Sequence, residues 1–381
     1  MALTQIDYVD VFYGSAMRRV SLNTGDLSDL EVSDGVNYLA VSALPNTYTG
    51  DGWLLDDLAA NGISVQSLAA NKLADYRPAI PCWVSQVVPN ANFQNIVVFE
   101  PTVSSVTSYD FTKYIFSAIR TVKGSPFTPT VVALPLVSTI VGGADESRML
   151  QYLFYSAANS CGRVEEFSEI KIVLYKTQTS VNTLAQVFAS LKNAYDDILV
   201  NNYFSDYNTY SKQVQQQLST VTLPPYLTYR QAFGICMYTS NFYTTINAVL
   251  RADNETTQDF VNLQALLEAI DTGLQNIPQT EKVGYRGESY VSESRLMANE
   301  PTGEPVNIAY TSSAYTPGTW YTTSPFQFQI TSLKGVVVEQ YSMYPSEQEL
   351  LFIRLMKYLV NSIAVANTYF FDCSEMPQPY R

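Results

Sequence analysis

The stretch "YPSEQELLF", residues 344–352, places two carboxylates, Glu347 and Glu349, at alternate positions directly before an apolar run. Two carboxylates that reach one substrate can divide a reaction, because one can stabilise developing positive charge while the other accepts a proton. In an extended strand, residues i and i+2 share a face, whereas in a helix they diverge by about 200°. The paired chemistry therefore depends on whether this stretch is extended.

A helix start is the alternative interpretation of the same stretch. Ser346 and Glu349 have the spacing of a capping box, and Pro345 lies near the position where a helix tolerates proline. Residues 350–360 could then supply a buried helical face. Spacing by itself favours this helix cap, so the rest of the chain has to decide.

The composition of the chain limits its class and its partners. With 381 residues, 46% of them apolar and 15% charged, it is long enough for two folded domains or one large one. A net charge of −13 argues against nucleic acid or an anionic membrane as the main partner, since those surfaces require dense Lys and Arg. No apolar stretch reaches membrane-spanning length, and residues 1–20 lack a secretory signal. A protein target stays open.

The chain contains no histidine, which excludes Ser-His-Asp and Cys-His nucleophilic machinery and histidine-containing metal sites. Proton chemistry then falls to carboxylates, Tyr, Lys or Cys. The four cysteines lie far apart without a Cys-x-x-Cys pair, so we expect buried free thiols in a reducing compartment and no metal site. They are Cys82, Cys161, Cys236 and Cys373.

The first 200 residues alternate between β-rich apolar runs and segments with apolar residues at helical spacing. This alternation, with continuously apolar strands, predicts a largely parallel α/β sheet in a domain over residues 1–200. Strands are predicted in residues 18–27, 36–46, 95–102, 129–140 and 170–177. Helices are predicted in residues 52–73, 109–124, 146–162 and 183–201.

The pattern changes in the second half of the chain. Residues 201–228 are polar and include a Pro-Pro pair, which predicts a linker with a short helix. A helical block follows over residues 229–276, and short β-like segments bounded by Gly, Pro, Ser and Thr continue after Pro278. We therefore expect a second domain over residues 229–381.

Four stretches of the second half form an ordered set: "YTSNFYTTINAVLR" (238–251), "VGYRGES" (283–289), "IAYTSSAYT" (308–316) and "SMYPSEQELLF" (342–352). Together they resemble the mono-ADP-ribosyltransferases of the Arg-Ser-Glu class, which include actin-modifying clostridial toxins and related bacterial, phage and vertebrate enzymes. Each motif is weak singly, but their order is specific, and the resemblance covers roughly residues 205–381. It implies an α+β fold, with a helical lobe followed by two packed mixed or antiparallel sheets, in which "QELLF" is a strand.

The resemblance also implies a substrate, NAD, and roles for four residues. Glu349 would stabilise the oxocarbenium-like cation that forms when the nicotinamide–ribose bond breaks, and would hold the ribose 2′-hydroxyl. Glu347 would position an acceptor arginine and take its proton, since Glu at this position accompanies arginine modification in the family. Arg286 would clamp the NAD pyrophosphate, and Ser312 would orient Glu349 by a hydrogen bond.

Further contacts with NAD follow from the same motifs. The resemblance places Tyr238, Tyr243, Asn247, Gly287 and Ser313 at the cofactor pocket, beside Arg286. The alternative is that the two tyrosines are core residues of an amphipathic helix and that Arg286 is a structural strand arginine paired with an acid.

The sequence departs from the family pattern at one position of its central triplet. Ser-Thr-Ser becomes Ser312, Ser313 and Ala314, which we expect to weaken or retune the site without abolishing it. Stacking on nicotinamide has three unranked candidates, Tyr315, Trp320 and Tyr321.

The first half resembles the macro-domain fold, an ADP-ribose-binding α/β module. The likeness lies in strand order and in "VSLNTGDLSDL", "VNYLAVSALPN" and "VVALPLVSTIVGG". The ligand loops differ, because "SALPN" and "TYTGDGWLL" replace an Asn-rich loop and a long Gly-rich one, so we expect a scaffold or target-docking module. Asp26 could contact an adenine, or it could be an exposed residue at a strand end.

The sequence thus predicts a cytoplasmic, NAD-dependent transferase that moves ADP-ribose to an arginine of a target protein and uses no metal. An NAD glycohydrolase and a non-enzymatic NAD- or ADP-ribose-binding module are the alternatives. The target, and whether the chain is a phage protein, a delivered toxin or effector, or a host defence protein, stay open at this stage.

Overall fold

The structure is a computed structural model that describes residues 2–13, 16–49, 53–77, 79–100, 108–123, 129–136, 145–162, 167–175, 180–252, 257–291, 301–365 and 368–377. The chain divides into two compact units, with the boundary between Asp197 and Ile198. No helix in these ranges is long and apolar enough to cross a membrane.

The first unit is built on a mixed sheet with the strand order β1-β2-β8-β7-β3-β6-β5-β4 over its described residues. The strands are β1 Thr4–Tyr13, β2 Ala16–Gly25, β3 Tyr38–Ser42, β4 Lys72–Asp75, β5 Cys82–Ser85, β6 Asn95–Phe99, β7 Thr130–Pro135 and β8 Phe167–Tyr175. The helices are α1 Trp53–Ala60, α2 Val65–Ala69, α3 Ser108–Lys123, α4 Glu146–Cys161 and α5 Val181–Asp196.

The strands predicted from continuous apolar runs form the centre of this sheet. β2, β8, β7, β3 and β6 pair in parallel, and every residue of β6 is buried, as expected for a strand covered on both faces. The antiparallel strands β1, β5 and β4 complete the two edges and were not predicted. The sheet is therefore parallel at its centre and mixed overall.

Several N-terminal predictions are only partly covered by the structure. Residues 137–140 of the predicted fourth strand and residues 50–52 of "TYTGDGWLL" lie outside the described residues. The Asp26 carboxylate accepts hydrogen bonds from the backbone N–H of Ser28 at 2.9 Å and from its hydroxyl at 2.7 Å, so Asp26 caps the short 3₁₀ turn that follows β2. The macro-domain resemblance stays a prediction.

Over its described residues, the second unit starts with four helices and continues as a sheet. The helices are α6 Tyr207–Leu218, α7 Tyr229–Thr239, α8 Tyr243–Arg251 and α9 Gln258–Asn276, with a short α10 at Thr319–Thr323. The strands are β9 Val283–Glu288, β10 Val306–Asn307, β11 Thr311–Ala314, β12 Phe326–Thr331, β13 Val336–Val337, β14 Glu349–Phe352, β15 Met356–Val365 and β16 Tyr369–Glu375.

Residues 201–228, predicted as a linker, lie within the second unit and contain α6. One stripe of this helix is buried, and the ring of Tyr207 meets that of Phe242 edge to face at a centroid distance of 5.3 Å. The stripe consists of Tyr207, Ser211, Val214 and Leu218. Most polar residues of α6 lie outside this stripe, and the buried residues have the spacing of an ordinary amphipathic helix.

The described strands of the second unit form one sheet with the order β10-β15-β16-β12-β9-β11-β14-β13. The sequence predicted two packed sheets. The strands fall into two groups, β10-β15-β16-β12-β9 and β11-β14-β13. The groups are joined where Ala314 of β11 pairs with Tyr285 of β9. This single residue pair makes the sheet continuous and places the "VGYRGE" strand beside the "TSSA" strand.

Helices α7 and α9 pack closely because each carries a glycine at the crossing. A Cβ atom added to Gly234 would lie 2.9 Å from the backbone nitrogen of Ile270, and one added to Gly273 would lie 2.9 Å from the side chain of Ile235. A capping box fixes the start of α7, since Thr228 and Gln231 exchange side-chain and backbone hydrogen bonds. This packing sets the position of Tyr238 near the end of α7.

We predict that Gly234→Ala destabilises the protein. Overpacking at this backbone contact costs about 1–3 kcal/mol, which exceeds the gain of up to about 1 kcal/mol from replacing glycine inside a helix. Thermal unfolding should show a lower Tm than wild type. Gln216→Ala, at an exposed position of α6, is the control, and an unchanged Tm for Gly234→Ala would show that the helices can separate at no cost.

Candidate active site

The two carboxylates of "YPSEQELLF" lie at the start of a strand. Pro345–Glu347 form one 3₁₀ turn, Gln348 takes the left-handed conformation with φ 52° and ψ 51°, and β14 begins at Glu349. The helix cap favoured by local spacing is therefore wrong, because the left-handed Gln348 ends the turn and neighbouring strands pair with β14 on both sides. The strand implied by the family resemblance is present.

Glu347 and Glu349 occupy different environments. The side chain of Glu349 is buried, with the residue 5% exposed, whereas Glu347 is exposed on the preceding turn. Because Gln348 interrupts the extended backbone between them, strand alternation does not place them on one face. The negative charge of Glu347 nevertheless acts on Glu349, where it raises the pKa of that carboxyl. The two groups are therefore close in space but unequal in their access to water.

Strand β11 supplies the immediate neighbours of Glu349. Ala314 pairs directly with Glu349, so Ser312, two residues earlier, has its side chain on the same face. The hydroxyl of Ser312 hydrogen-bonds to the Glu349 carboxyl. Ala314 is the position where the family pattern has its third hydroxyl, and its methyl group faces Glu349 without donating a hydrogen bond. Of the two serines of the triplet, Ser312 is thus the one that meets the Glu349 carboxyl.

Ser313 points to the opposite face of β11. Its hydroxyl is buried and donates to the carbonyl oxygen of Leu350 at 3.2 Å. It also lies against Gly284 of β9, where an added Cβ would come within 2.4 Å of the hydroxyl oxygen. This serine joins strands of the sheet, and its position gives no support to the predicted contact with a cofactor.

Burial is the main influence on the acidity of Glu349. It raises the pKa of the carboxyl to about 7, because the ionised form loses most of its hydration. The hydrogen bond from Ser312 and the charge of Arg286 lower this pKa, and the charge of Glu347 raises it. Glu349 is therefore a carboxyl group that changes its charge near neutral pH.

Backbone hydrogen bonds hold the Glu-Gln-Glu segment from both sides. The N–H of Val338 donates to the carbonyl of Glu349 at 3.1 Å, and the N–H of Tyr315 donates to the carbonyl of Gln348 at 3.1 Å. The segment that carries the carboxylates is thus fixed by strands β13 and β11 and the residues that follow them.

Arg286 of β9 is fixed beside β11. Its Nη1 donates to the carbonyl of Ser312 at 2.6 Å, and its Nε donates to Oε1 of Glu288 at 2.7 Å. The structural alternative from the sequence, a strand arginine paired with an acid, is therefore present in the form of Glu288, which the sequence reasoning did not identify. Gly287 lies between these two residues and pairs with Gln327 of β12. Since the Arg286 side chain is 27% exposed, a ligand can still reach it.

Tyr238 and Asn247 form a buried pair beside these charges. The hydroxyl of Tyr238 donates to the carbonyl of Tyr310 at 3.2 Å and accepts from Nδ2 of Asn247 at 3.1 Å. Burial raises the pKa of Tyr238, the hydrogen bond from Asn247 lowers it, and the charges of Glu349 and Arg286 have smaller effects. Tyr238 therefore has the packing of a core residue, as one interpretation of the sequence expected.

Asn247 and Tyr243 of α8 differ in how they could meet a ligand. Asn247 is 4% exposed, and its Oδ1 is buried without a hydrogen-bond partner among the described residues. An unpartnered buried acceptor is costly unless a ligand or water donates to it. Tyr243 is 45% exposed at the start of α8, and its ring lies 6.4 Å from that of Tyr238.

The three aromatic candidates for nicotinamide stacking are placed differently. The hydroxyl of Tyr315 donates to Glu339, and the ammonium of Lys282 lies 3.8 Å from the centre of the Tyr315 ring, so a cation covers one face of that ring. Tyr321 is buried and meets Tyr285 edge to face at 5.2 Å. The side chain of Trp320 lies outside the described residues.

Cysteines and acidic groups are the remaining side chains that could carry chemistry. All four cysteines are buried, as predicted, and none of them forms a disulfide. Over the described ranges, no group of three or more His, Cys, Asp or Glu side chains is arranged to hold a metal ion.

The raised pKa of Glu349 has a consequence for stability. Since the folded state holds this proton up to about pH 7 and the unfolded state releases it near pH 4.5, stability falls as pH rises between these values. We predict that Glu349→Gln matches wild type below pH 4.5 and becomes more stable above pH 7, by up to about 3 kcal/mol. Denaturant unfolding at pH 4 and pH 8 measures this difference.

The control for this measurement is Glu281→Gln, which removes an exposed carboxylate of the same unit. It should change stability little at either pH. If Glu349→Gln gave the same gain at pH 4 as at pH 8, burial of a charge would not be the cause.

Comparison with known proteins gives one family and a set of solved structures. The model of the family described as ART, NAD:arginine ADP-ribosyltransferase, matches residues 178–369. No curated protein matches this chain.

Three solved structures are each similar to slightly less than half of this chain. Plx2a, an ADP-ribosyltransferase toxin from Paenibacillus larvae, is 18% identical, with 45% of this chain and 94% of that one covered and a TM-score of 0.34. The C3 exoenzyme of Clostridium limosum is 16% identical. The match covers 48% of this chain and 100% of that one, with a TM-score of 0.35. An N-terminally truncated form of the type III effector XopAI from Xanthomonas axonopodis pv. citri is 14% identical. The match covers 49% of this chain and 85% of that one, with a TM-score of 0.38.

The family match contains all four motifs from which the site is built, and it spans half of the 381-residue chain. On this match, the chain belongs to the NAD:arginine ADP-ribosyltransferase family.

Proposed function

We propose that this protein is an NAD-dependent mono-ADP-ribosyltransferase of the Arg-Ser-Glu class that transfers ADP-ribose to arginine side chains of a target protein. The observation that carries the proposal is the unequal pair of carboxylates, in which Glu349 is buried against Ser312 and Glu347 is exposed on the adjoining turn. The reaction needs one carboxylate for NAD and one for the acceptor.

Glu349 has the environment required to stabilise a cation. When the bond between ribose C1′ and the nicotinamide nitrogen breaks, the electron pair leaves with nicotinamide and the ribose becomes oxocarbenium-like. A carboxylate fixed in a water-poor site stabilises that charge more strongly than one in bulk water, and needs no reorganisation at the moment of reaction. Ser312 and the backbone contacts of β14 hold the carboxylate in place.

Glu347 has the exposure required to meet an acceptor from outside. An arginine of the target attacks ribose C1′ through a guanidinium nitrogen, and the new C–N bond forms as that nitrogen loses a proton. Because a guanidinium is fully protonated in water, a nearby base has to accept this proton. Glu347 would be that base, which leaves a neutral nicotinamide, an ADP-ribosylated arginine and a protonated Glu347.

Arg286 and α8 would hold the rest of NAD. The partly exposed guanidinium of Arg286 suits the pyrophosphate, with Gly287 beside it allowing close approach of the backbone. The unpartnered Oδ1 of Asn247 suits a ligand hydroxyl or amide donor, and the exposed ring of Tyr243 offers an apolar face. Tyr238 would act by packing behind these groups.

For the first unit we propose a macro-like scaffold that docks the target protein. The parallel central sheet and the sequence likeness support a macro-like fold. The loops that bind the ligand in ADP-ribose-binding modules differ here, which favours docking over ligand binding. We propose the cytoplasm, of this protein's own cell or of a cell into which it is delivered as a toxin or effector, as the place where it meets NAD and its target.

The pH dependence of NAD cleavage tests the role of Glu349. Because the ionised carboxylate is the active form and its pKa is about 7, kcat/KM should rise with pH through about 7 and then level off. Ser312→Ala should move the midpoint up, because the lost hydrogen bond favoured the ionised form. Glu347→Gln should move it down, because the lost negative charge opposed ionisation.

The pH midpoint of each protein is measured from kcat/KM for nicotinamide release from NAD over pH 5–9. Ser313→Ala is the matched control, since its hydroxyl lies on the other face of β11 and should leave the midpoint unchanged. Equal midpoints in all four proteins would contradict the assignment of Glu349.

Glu347→Gln also separates transfer from hydrolysis. With agmatine or an arginine-containing protein as acceptor, transfer should fall by about 100-fold or more, while nicotinamide release largely survives. Glu349→Ala should abolish both, and it serves as the blank when labelled NAD and mass spectrometry are used to find modified arginines in candidate proteins.

The outcomes distinguish the proposed reaction from its alternatives. Transfer that persists in Glu347→Gln would contradict the base assignment, and nicotinamide release without transfer in wild type would indicate an NAD glycohydrolase. If wild type binds NAD with neither release nor transfer, it is a binding module.

A further inference from the structure

A buried ion pair joins helix α9 to the turn after β14. Its two residues lie far apart in the sequence, and neither belongs to the four motifs. Asp271 of α9 accepts from Arg354, with Nε 3.0 Å and Nη2 2.9 Å from Oδ2. The hydroxyl of Tyr310 donates to Oδ1 of Asp271 at 2.7 Å. All three residues are at most 5% exposed. We refer to Asp271, Arg354 and Tyr310 as the Asp271 cluster.

The Asp271 cluster holds one end of the strand pair that carries the catalytic groups. Tyr310 directly precedes β11, and Arg354 lies in the turn that follows β14. Since β11 and β14 are antiparallel, with Thr311 opposite Phe352, these two residues lie at the same end of the pair. Glu349 and Ala314 lie at its other end. Asp271 thus connects α9 to both strands away from the reacting groups.

The same cluster reaches the helices that would hold NAD. The backbone carbonyl of Tyr310 accepts from the hydroxyl of Tyr238, which in turn accepts from Asn247. The rings of Tyr238 and Tyr310 also meet edge to face, with centroids 5.1 Å apart. A continuous set of buried hydrogen bonds therefore joins α9, α7 and α8 to the start of β11.

We propose that Asp271 and Arg354 are positioning residues that set where the β11–β14 strand pair lies relative to α7 and α8. The proposal rests on the function proposed above. The hydrogen bond between Ser312 and Glu349 lies within the strand pair, so it does not depend on the cluster. What depends on the cluster is the distance between Glu349 on the sheet and the NAD contacts on the helices.

The chemistry of the pair suits a positioning role. A two-point contact between guanidinium and carboxylate fixes orientation as well as distance. Buried ion pairs add little net stability compared with apolar residues of similar size, whereas removing one partner leaves an uncompensated charge and is strongly destabilising. A test of position must therefore replace both partners together, or remove only the tyrosine hydroxyl.

The main variant is the double replacement Asp271→Leu with Arg354→Met, and Tyr310→Phe is the second. The matched control is Glu268→Leu with Arg230→Met, because this pair also anchors α9 in the same unit, with Arg230 Nη2 2.7 Å from Glu268 Oε2, but joins it to the first turn of α7. The readouts are NAD affinity by calorimetry, KM and kcat for nicotinamide release, and the pH midpoint, each per folded molecule.

We expect the main variant to weaken NAD binding and kcat/KM by about 10- to 100-fold, because a small displacement between catalytic and binding groups has that effect. Its pH midpoint should stay at the wild-type value, since Ser312 and Glu349 move together. Tyr310→Phe should also weaken NAD binding and lower kcat/KM, but by a smaller factor. The control pair should leave NAD affinity unchanged even where it lowers Tm.

The outcomes separate this inference from the proposed function. If wild type binds and cleaves NAD, but the main variant and the control lose affinity equally, the positioning role is overturned while the function stands. A shifted pH midpoint in the main variant would also overturn it. If wild type does not bind NAD at all, both proposals fail.

Discussion

The cost of burying the Glu349 carboxylate is the constraint on which the second unit depends. A lone carboxylate is strongly disfavoured in a site with little water, which is why its pKa lies near 7. The surrounding groups offset this cost in part: Ser312 donates a hydrogen bond, Arg286 contributes a positive charge, and backbone contacts hold the strand start. The same arrangement that tolerates the charge also fixes its direction, so that in the proposed reaction a cation forming opposite it would meet a carboxylate that needs no rearrangement.

The left-handed conformation of Gln348 explains how two acids so close in sequence have different surroundings. An uninterrupted strand would place both side chains on one face, either both buried or both exposed. The positive φ at Gln348 turns the chain, so that Glu347 stays in water on the turn while Glu349 enters the sheet. Two buried acids would repel each other and hold a shared proton, and two exposed acids would offer little to a cation.

Local patterns in the sequence predicted which residues meet, but not how each is used. The four motifs identified Glu349, Ser312 and Arg286, and the structure brings these together because the motifs lie on paired strands. Strand alternation explains why Ser313 differs from its neighbour, and the buried stripe of α6 explains how a polar segment with a short helix can pack within the second unit. The helix cap at Ser346 was wrong because strand pairing overrode a local signal. Asp271 and Arg354 could not be predicted, since they lie 83 residues apart and neither belongs to a motif.

Arg286 and Arg354 show how burial separates two uses of the same interaction. Each arginine pairs with a carboxylate, Arg286 with Glu288 and Arg354 with Asp271, at similar distances. The side chain of Arg286 is 27% exposed and that of Glu288 is 10% exposed, so in the proposed function a phosphate would meet the guanidinium from its open side. The side chains of Arg354 and Asp271 are both 6% exposed, and no ligand can replace either partner without opening the core. The partly open Arg286 thus suits the binding role proposed for it, and the sealed pair of Arg354 and Asp271 suits a positioning role, although both are pairs of an arginine with a carboxylate.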